Sequence, residues 1–403
     1  MLLGNVKVYY KGKILSKYIQ IEEERITGLL NSTQRNEKVI DGNGLLVLPG
    51  LIDPHVHLRE PGATHKEDFY TGTRAAVAGG FTTVLDMPNN PQPTVTLERL
   101  KEKIELAKEK AICDVGFHFG ATNENFSEIK KAKPNSLKLI LGQTTGSLLV
   151  REDSVILKHF ENFPKEKPIV IHAEDQEYIE KTGDDGPKAA WRAVEKVIGF
   201  AKRTNRRIHI AHTSTKKEIE IAKKWNLATV ETAPHYLFLS QKDYGTLGDR
   251  KLVKPPLRVE QFRRELWEAL EKIDCIGSDH APHTLEEKEN GAFGFPGLET
   301  SLALFLDAYS RGLLTIEWIV NRMAERPAEI FGIKGKGRIE KNYFADLTFV
   351  DLKKEWIVKG EELETKCKWS PFEGKKLRGK VVKVIFRGKE TYSEGEFSIF
   401  RTN

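Results

Sequence analysis

The chain has 403 residues, 39% hydrophobic and 30% charged, with 64 Lys and Arg against 58 Asp and Glu for a net charge of +6. That length holds one large domain or two to three average ones with a substantial core, its apolar runs fall short of the ~18 residues of a membrane span, and its small, interspersed positive excess is a solvated surface rather than a nucleic-acid face. Three widely spaced cysteines, Cys113, Cys275 and Cys367, exclude a disulfide framework and a thiolate zinc cluster, leaving reduced, mostly buried thiols.

The start, MLLGNVKVYYKGK, alternates like a strand and lacks an apolar core with a small-residue cleavage site, so it does not read as a signal peptide and a cytoplasmic location is expected. Residues 1–48 read as short strands with tight turns, VKVYYKG, KYIQIEEERITGL and NGLLVLPG. Residues 338–403 have the same texture in DLTFVDL, KEWIV, KVVKVIFRG and EGEFSIF. The two ends are expected to form one small β-sandwich domain. Between them, in 49–337, eight apolar or β-branched runs alternate with helical patterns: 48–53, 81–87, 112–119, 136–141, 168–173, 207–212, 227–233 and 273–279. Intervening segments such as TLERLKEKIELAKEKA, GPKAAWRAVEKVIGFAKR and KKEIEIAKKW space their apolar residues by three and four, as surface helices do. Eight strand–helix units is the count of a (β/α)8 TIM-type barrel. An open doubly wound sheet is the alternative, but it gathers ligands at one reversal of strand order, whereas the polar residues here close many different strands. Abundant Lys, Glu and Arg with only three Met is also the balance of many heat-adapted proteins.

Those polar residues carry the chemistry. His55 and His57 follow the first run, one residue apart; side chains at i and i+2 of a strand share a face and can reach one metal ion together. The plainer reading of such a pair is two polar residues at a strand end. Arg59 follows, then Asn89 after the second run. Lys138 lies in the fourth, His172 and His212 close the fifth and sixth, Asp279 closes the eighth, and His283 lies four residues on. Four histidines and an aspartate at one barrel face are ligands enough for two ions of the zinc class. Lys138 in an apolar strand is either half of a buried ion pair or a lysine that reacts with carbon dioxide to give a carbamate able to bridge two metals. His235 and His280 sit near the same face and read as residues that orient neighbours; His65, His118, His159 and His209 carry no role. Gly291, Gly294 and Gly297 lack the strand, lysine and hydroxyl of a phosphate loop and read as a pocket wall.

DPHVHLREPG, DMPNNP, KLIL, IHAED, IAHTS, ETAPHYL and SDHAPHTLEEK, in this order, resemble the type I dihydroorotases of the amidohydrolase superfamily. The resemblance implies that His55, His57 and Asp279 hold the more buried of two divalent ions, zinc above all. It also implies that His172 and His212 hold the other, and that a carboxylated Lys138, 34 residues before His172, bridges them. Asp153 is the alternative bridge. Arg59, Asn89 and His283 match the family's contacts to the substrate carboxylate and ring, which suits a guanidinium fork. Many bacterial relatives have asparagine where this chain has Lys254, which either adds a carboxylate contact or faces solvent. The implied activity is the reversible cyclisation of N-carbamoyl-aspartate to dihydroorotate in pyrimidine synthesis. In it a metal-bridging hydroxide attacks the ring carbonyl, with Asp279 as general base and acid. The metal cluster keeps a net positive charge, which favours an anionic small-molecule substrate. A homodimer and a complex with aspartate carbamoyltransferase are further implied partners. The competing readings are another cyclic amidase, an allantoinase or hydantoinase, and a non-catalytic scaffold of the same fold.

Overall fold

The computed structural model describes residues 1–33 and 38–398. Eight parallel strands form the barrel: β1 (Leu51–Val56), β2 (Phe81–Asp86), β3 (Asp114–Phe117), β4 (Leu137–Ile140), β5 (Ile169–His172), β6 (Ile208–Ile210), β7 (Ala228–Thr232) and β8 (Cys275–Ile276). Each lies inside a run expected from the sequence except β1, which extends three residues further to include His55. Strands β1 to β3 pair in one sheet and β4 to β8 in another.

Two seams close the ring. At the first, the third run breaks at His118 instead of continuing as one strand, and Phe119–Gly120 pairs with β4. At the break the buried His118 ring spans the seam, with Nε2 at 2.9 Å from the Pro54 carbonyl and Nδ1 at 2.6 Å from the Ser136 hydroxyl. At the second, His57 N donates to His280 O at 2.7 Å. Beneath that bond the buried carboxylate of Asp53 accepts from the backbone N–H of His55 (3.0 Å) and Ser278 (3.1 Å), tying the end of β1 to the end of β8.

The helices follow their apolar spacing. Leu97–Lys110 begins where the Thr96 side chain accepts from Arg99 N. Pro187–Thr204 starts on a proline, buries Ala190, Ala193, Val194, Val197 and Ala201, and stops at Asn205, whose φ of 49° is left-handed. Burial of each such valine contributes about 1.5–3 kcal/mol. Among the described residues no helix is long and apolar enough to cross a membrane.

Leu46–Pro49 joins the chain ends, pairing parallel with Leu2–Tyr10 and antiparallel with Leu347–Ile357. The resulting nine-stranded mixed sheet packs Val8, Ile19, Ile26, Val47, Phe349 and Ile385 into its own core, so the fold is an α/β barrel plus a β-sandwich. DLTFVDL and KEWIV are one bulged strand rather than two. EGEFSIF supplies Glu396–Phe397, and its last two residues lie outside the described ones. All three cysteines are free, two of them buried.

Candidate active site

Parallel strands deliver their C-terminal ends to one face of a barrel, and two groups of side chains meet there. His55 Nε2 and His57 Nε2 each lie 3.3 Å from the same oxygen of Asp279, Oδ1. Across from them His172 Nδ1 stands 2.9 Å from His212 Nε2. The His55 and His212 rings, with centroids 5.3 Å apart, connect the groups. The backbone is strained where these residues are presented: φ is 64° at Arg59, 38° at His212 and 49° at Asp279. Left-handed conformations of non-glycine residues cost about 1–3 kcal/mol each and persist where the surroundings enforce them.

Electrostatics prepare the group to take cations. Burial depresses the His57 pKa to about 3 and that of His212 well below its ordinary value, so both rings are neutral and offer lone pairs. Burial works to raise Asp279, but the facing His55 and His57 hold its carboxyl down at about 2. The Lys138 ammonium is buried, meets no hydrogen-bond partner among the described residues, and has its pKa pulled down to about 8 by burial.

The donor set fits divalent ions. Ligand atoms at ~2.0–2.1 Å from a tetrahedral ion stand about 3.3 Å apart, which is the spacing of both imidazoles from Asp279. Each ring nitrogen facing Asp279 or the neighbouring ring either donates a hydrogen bond or, with its hydrogen on the other nitrogen, offers a lone pair to a cation. Lys138, an orphaned amine beside the same atoms, is the one member that cannot ligate unmodified.

Beside the histidines and Asp279 a cavity of about 120 Å³ is lined by His57, Arg59, Lys66, Asn89, Asn90 and Thr145. Arg59 is buried and its Nε donates to Pro282 O at 3.0 Å, while Nη2 lies 3.0 Å from His283 Nε2. Burial, first, and the Arg59 and Lys66 cations hold His283 neutral. The Asn89 amide nitrogen donates to Thr145 O at 2.9 Å. Lys254 is not among the lining residues; its ammonium pairs with Asp185 at 2.6 Å and lies over the Phe293 ring. Asp153, the alternative bridge, is 60% exposed and pairs with Lys196 at 2.9 Å. His280 Nδ1 accepts from Gly297 N, anchoring the glycine segment, while the buried His235 ring packs on Tyr236 and Phe295. At Gly294 a Cβ would lie 2.3 Å from Ala281 O, so the close approach requires glycine.

Sequence reasoning missed three buried carboxylates: Asp53, Glu174 and Glu231. Glu231 Oε1 lies 2.7 Å from His55 Nδ1, and Glu174 Oε2 lies 2.9 Å from His172 Nε2. A charged residue inside the apolar run LATVETA was the available signal for Glu231.

The sequence model of the amidohydrolase family matches residues 46–391. A dihydroorotase of Pyrococcus abyssi is 42% identical over 398 residues, 97% of this chain and 94% of its own. The multifunctional protein CAD of Squalus acanthias is 39% identical over 387 residues, 93% of this chain but 16% of that longer one. Among solved structures, an L-hydantoinase (dihydropyrimidinase) from Arthrobacter aurescens superposes with a TM-score of 0.93 at 26% identity, covering 99% of this chain and 97% of its own. By family match, by identity over nearly its whole length and by fold, the chain belongs to the amidohydrolase family, among its dihydroorotases.

Proposed function

We propose that this dihydroorotase interconverts dihydroorotate and N-carbamoyl-aspartate at the barrel face just described. The observation that carries the reading is the buried Arg59 guanidinium in the wall of the cavity beside His57, with Asn89 in the same wall and His283 against it. A buried cation with a planar donor fork suits a ring that bears a carboxylate and gains nothing from a neutral ring. His55, His57 and Asp279 would hold one divalent ion and His172 and His212 the other, zinc being the ion such a donor set favours. Lys138, once carboxylated, would supply oxygens to both; its depressed pKa leaves a share of neutral amine to react with carbon dioxide near neutral pH. Bound there, the ions would acidify water and polarise the ring carbonyl.

The residues of the chain do the rest. Arg59, with Asn89 and His283, orients the substrate through its carboxylate. Asp279, ionised at neutral pH, takes the proton of the attacking water as the oxygen adds to the ring carbonyl carbon. It returns that proton to the ring nitrogen as the carbon–nitrogen bond breaks. Ring closure is the reverse and consumes a protonated carboxyl, so lower pH favours dihydroorotate and higher pH favours N-carbamoyl-aspartate.

We place the protein in the cytoplasm, as a homodimer. Because the Squalus acanthias relative carries the matched region within a longer multifunctional chain, we also propose association with a neighbouring enzyme of pyrimidine synthesis, aspartate carbamoyltransferase first. Initial rates on dihydroorotate, hydantoin and allantoin, measured side by side, test the substrate. We expect kcat/KM for dihydroorotate to exceed the others by about four orders of magnitude, the discrimination a site gains from a buried polar contact that a competitor cannot make. Faster turnover of a neutral ring would replace this reading with that of a hydantoinase-like amidase.

A further inference from the structure

Behind the ligand histidines stand two buried carboxylates, each against the ring nitrogen that faces away from the point of convergence. Glu231, in β7, is wholly buried. Its Oε1 accepts from His55 Nδ1 at 2.7 Å and from the backbone N–H of His212 at 3.2 Å, and its Oε2 lies 3.3 Å from His209 Nε2. Glu174, two residues past β5, places Oε2 2.9 Å from His172 Nε2. An ionised carboxylate only accepts hydrogen bonds, so the ring nitrogens facing it carry hydrogen. In a neutral ring, the form that can ligate a metal, the opposite nitrogen keeps its lone pair, and here that is His55 Nε2, which faces Asp279, and His172 Nδ1, which faces His212.

The surrounding backbone is cleared for both carboxylates. A Cβ on Gly277 would fall 2.6 Å from the Glu231 carboxyl carbon and 2.8 Å from His55 Cβ, and one on Gly142 would fall 2.5 Å from Glu174 Cβ. The bond from His212 N to Glu231 also restrains a residue held at a φ of 38°, a conformation that needs such support.

We infer that Glu231 and Glu174 are positioning residues of the metal site. Glu231 fixes the ring of His55 and the backbone of His212, Glu174 fixes the ring of His172, and together they set which nitrogen each histidine offers to its ion. The inference rests on the metal-binding reading proposed above. Carboxylates that orient ligand histidines are worth roughly 10–100-fold in metal affinity.

The test is chelator competition for zinc in wild type, Glu231→Gln and Glu174→Gln, together with the visible spectrum of the cobalt-loaded proteins and the melting of the metal-free ones. Glutamine keeps the volume, and His209, with the Thr229 hydroxyl on its other nitrogen, can exchange tautomers to face it. We expect each variant to lose roughly 10–100-fold in affinity for zinc and to shift the cobalt bands while its metal-free form melts close to wild type. Wild-type affinity and an unchanged cobalt spectrum in both variants overturn the inference alone, whereas a wild-type protein that binds no metal overturns the metal reading with it. Should a variant fail to fold, histidine nitrogen resonances of zinc-loaded wild type decide. Protonated Nδ1 on His55 and protonated Nε2 on His172 support the assignment, and metal on either of those atoms overturns it.

Discussion

Replacing Lys138 with methionine should stabilise the metal-free protein while abolishing turnover. The side chain is 3% exposed, its ammonium has no hydrogen-bond partner among the described residues, and its pKa is drawn from 10.5 down to about 8, by burial first and against the pull of Glu231 and Asp279. A depression of that size costs the folded state roughly 3 kcal/mol. Methionine fills a similar volume without the charge, so the variant should recover most of that cost. Spread over the unfolding entropy of a chain this long, it corresponds to a melting increase of roughly 3–4 °C. The sign of the pH dependence follows from linkage. Between pH 8 and 10.5 the unfolded state holds the proton that the folded state has lost, so wild-type stability rises with pH across this window. The advantage of Lys138→Met should therefore be full below pH 8 and gone by about pH 10.5. The assay is thermal unfolding of chelator-treated protein in carbon-dioxide-free buffer at pH 7 and pH 10. A variant that melts below wild type at pH 7 would refute the reasoning, because it would mean that the ammonium is paired and stabilising.

Lys138→Ala should lose activity and regain part of it with short carboxylic acids that fill the vacated space; full activity without them would shift the bridging role to Asp153. Asp279→Asn should keep the fold and much of the metal yet lose nearly all turnover, and near-wild-type kcat in that variant would remove Asp279 as the base. Arg59→Lys keeps the charge but not the fork, so KM for dihydroorotate should rise roughly 10–100-fold, the worth of a charged hydrogen bond, with any slow hydantoin turnover unchanged; an equal loss on both substrates contradicts the carboxylate contact. Lys103→Met strips the partner from Asp86, a fully buried pair at 2.6 Å, and should cost about 3–5 kcal/mol. Because Asp86 also accepts from Leu58 N and Lys103 also donates to Asn90, KM should rise with the drop in melting temperature. A variant with unchanged stability and KM would show that the pair does not support the cavity wall.

Parallel strands explain why much of the site was legible in the sequence. In a barrel the last residue of each strand reaches a common face whatever its distance along the chain, so His55, His57, His172 and His212 could be placed from strand ends alone. The three buried carboxylates were harder, since Glu174 and Glu231 lie inside motifs that read as units and nothing in a sequence shows which ring nitrogen a carboxylate will face. Lys254 and Asp153 sit outside the strands, where a long or exposed side chain takes whichever opposite charge the fold brings near, here Asp185 and Lys196. The break at His118 coincides with contacts to Pro54 and Ser136, the first of them 64 residues away in sequence, and a run of strand-forming residues gave no sign of it.

The most direct measurement is dihydroorotate turnover with metal content determined on the same preparation, as zinc is titrated back into chelated enzyme. Chelation should abolish turnover, and activity should climb with zinc until two ions are bound per chain. Full turnover by metal-free protein, or two bound ions with no turnover of dihydroorotate, would contradict a metal-dependent ring opening.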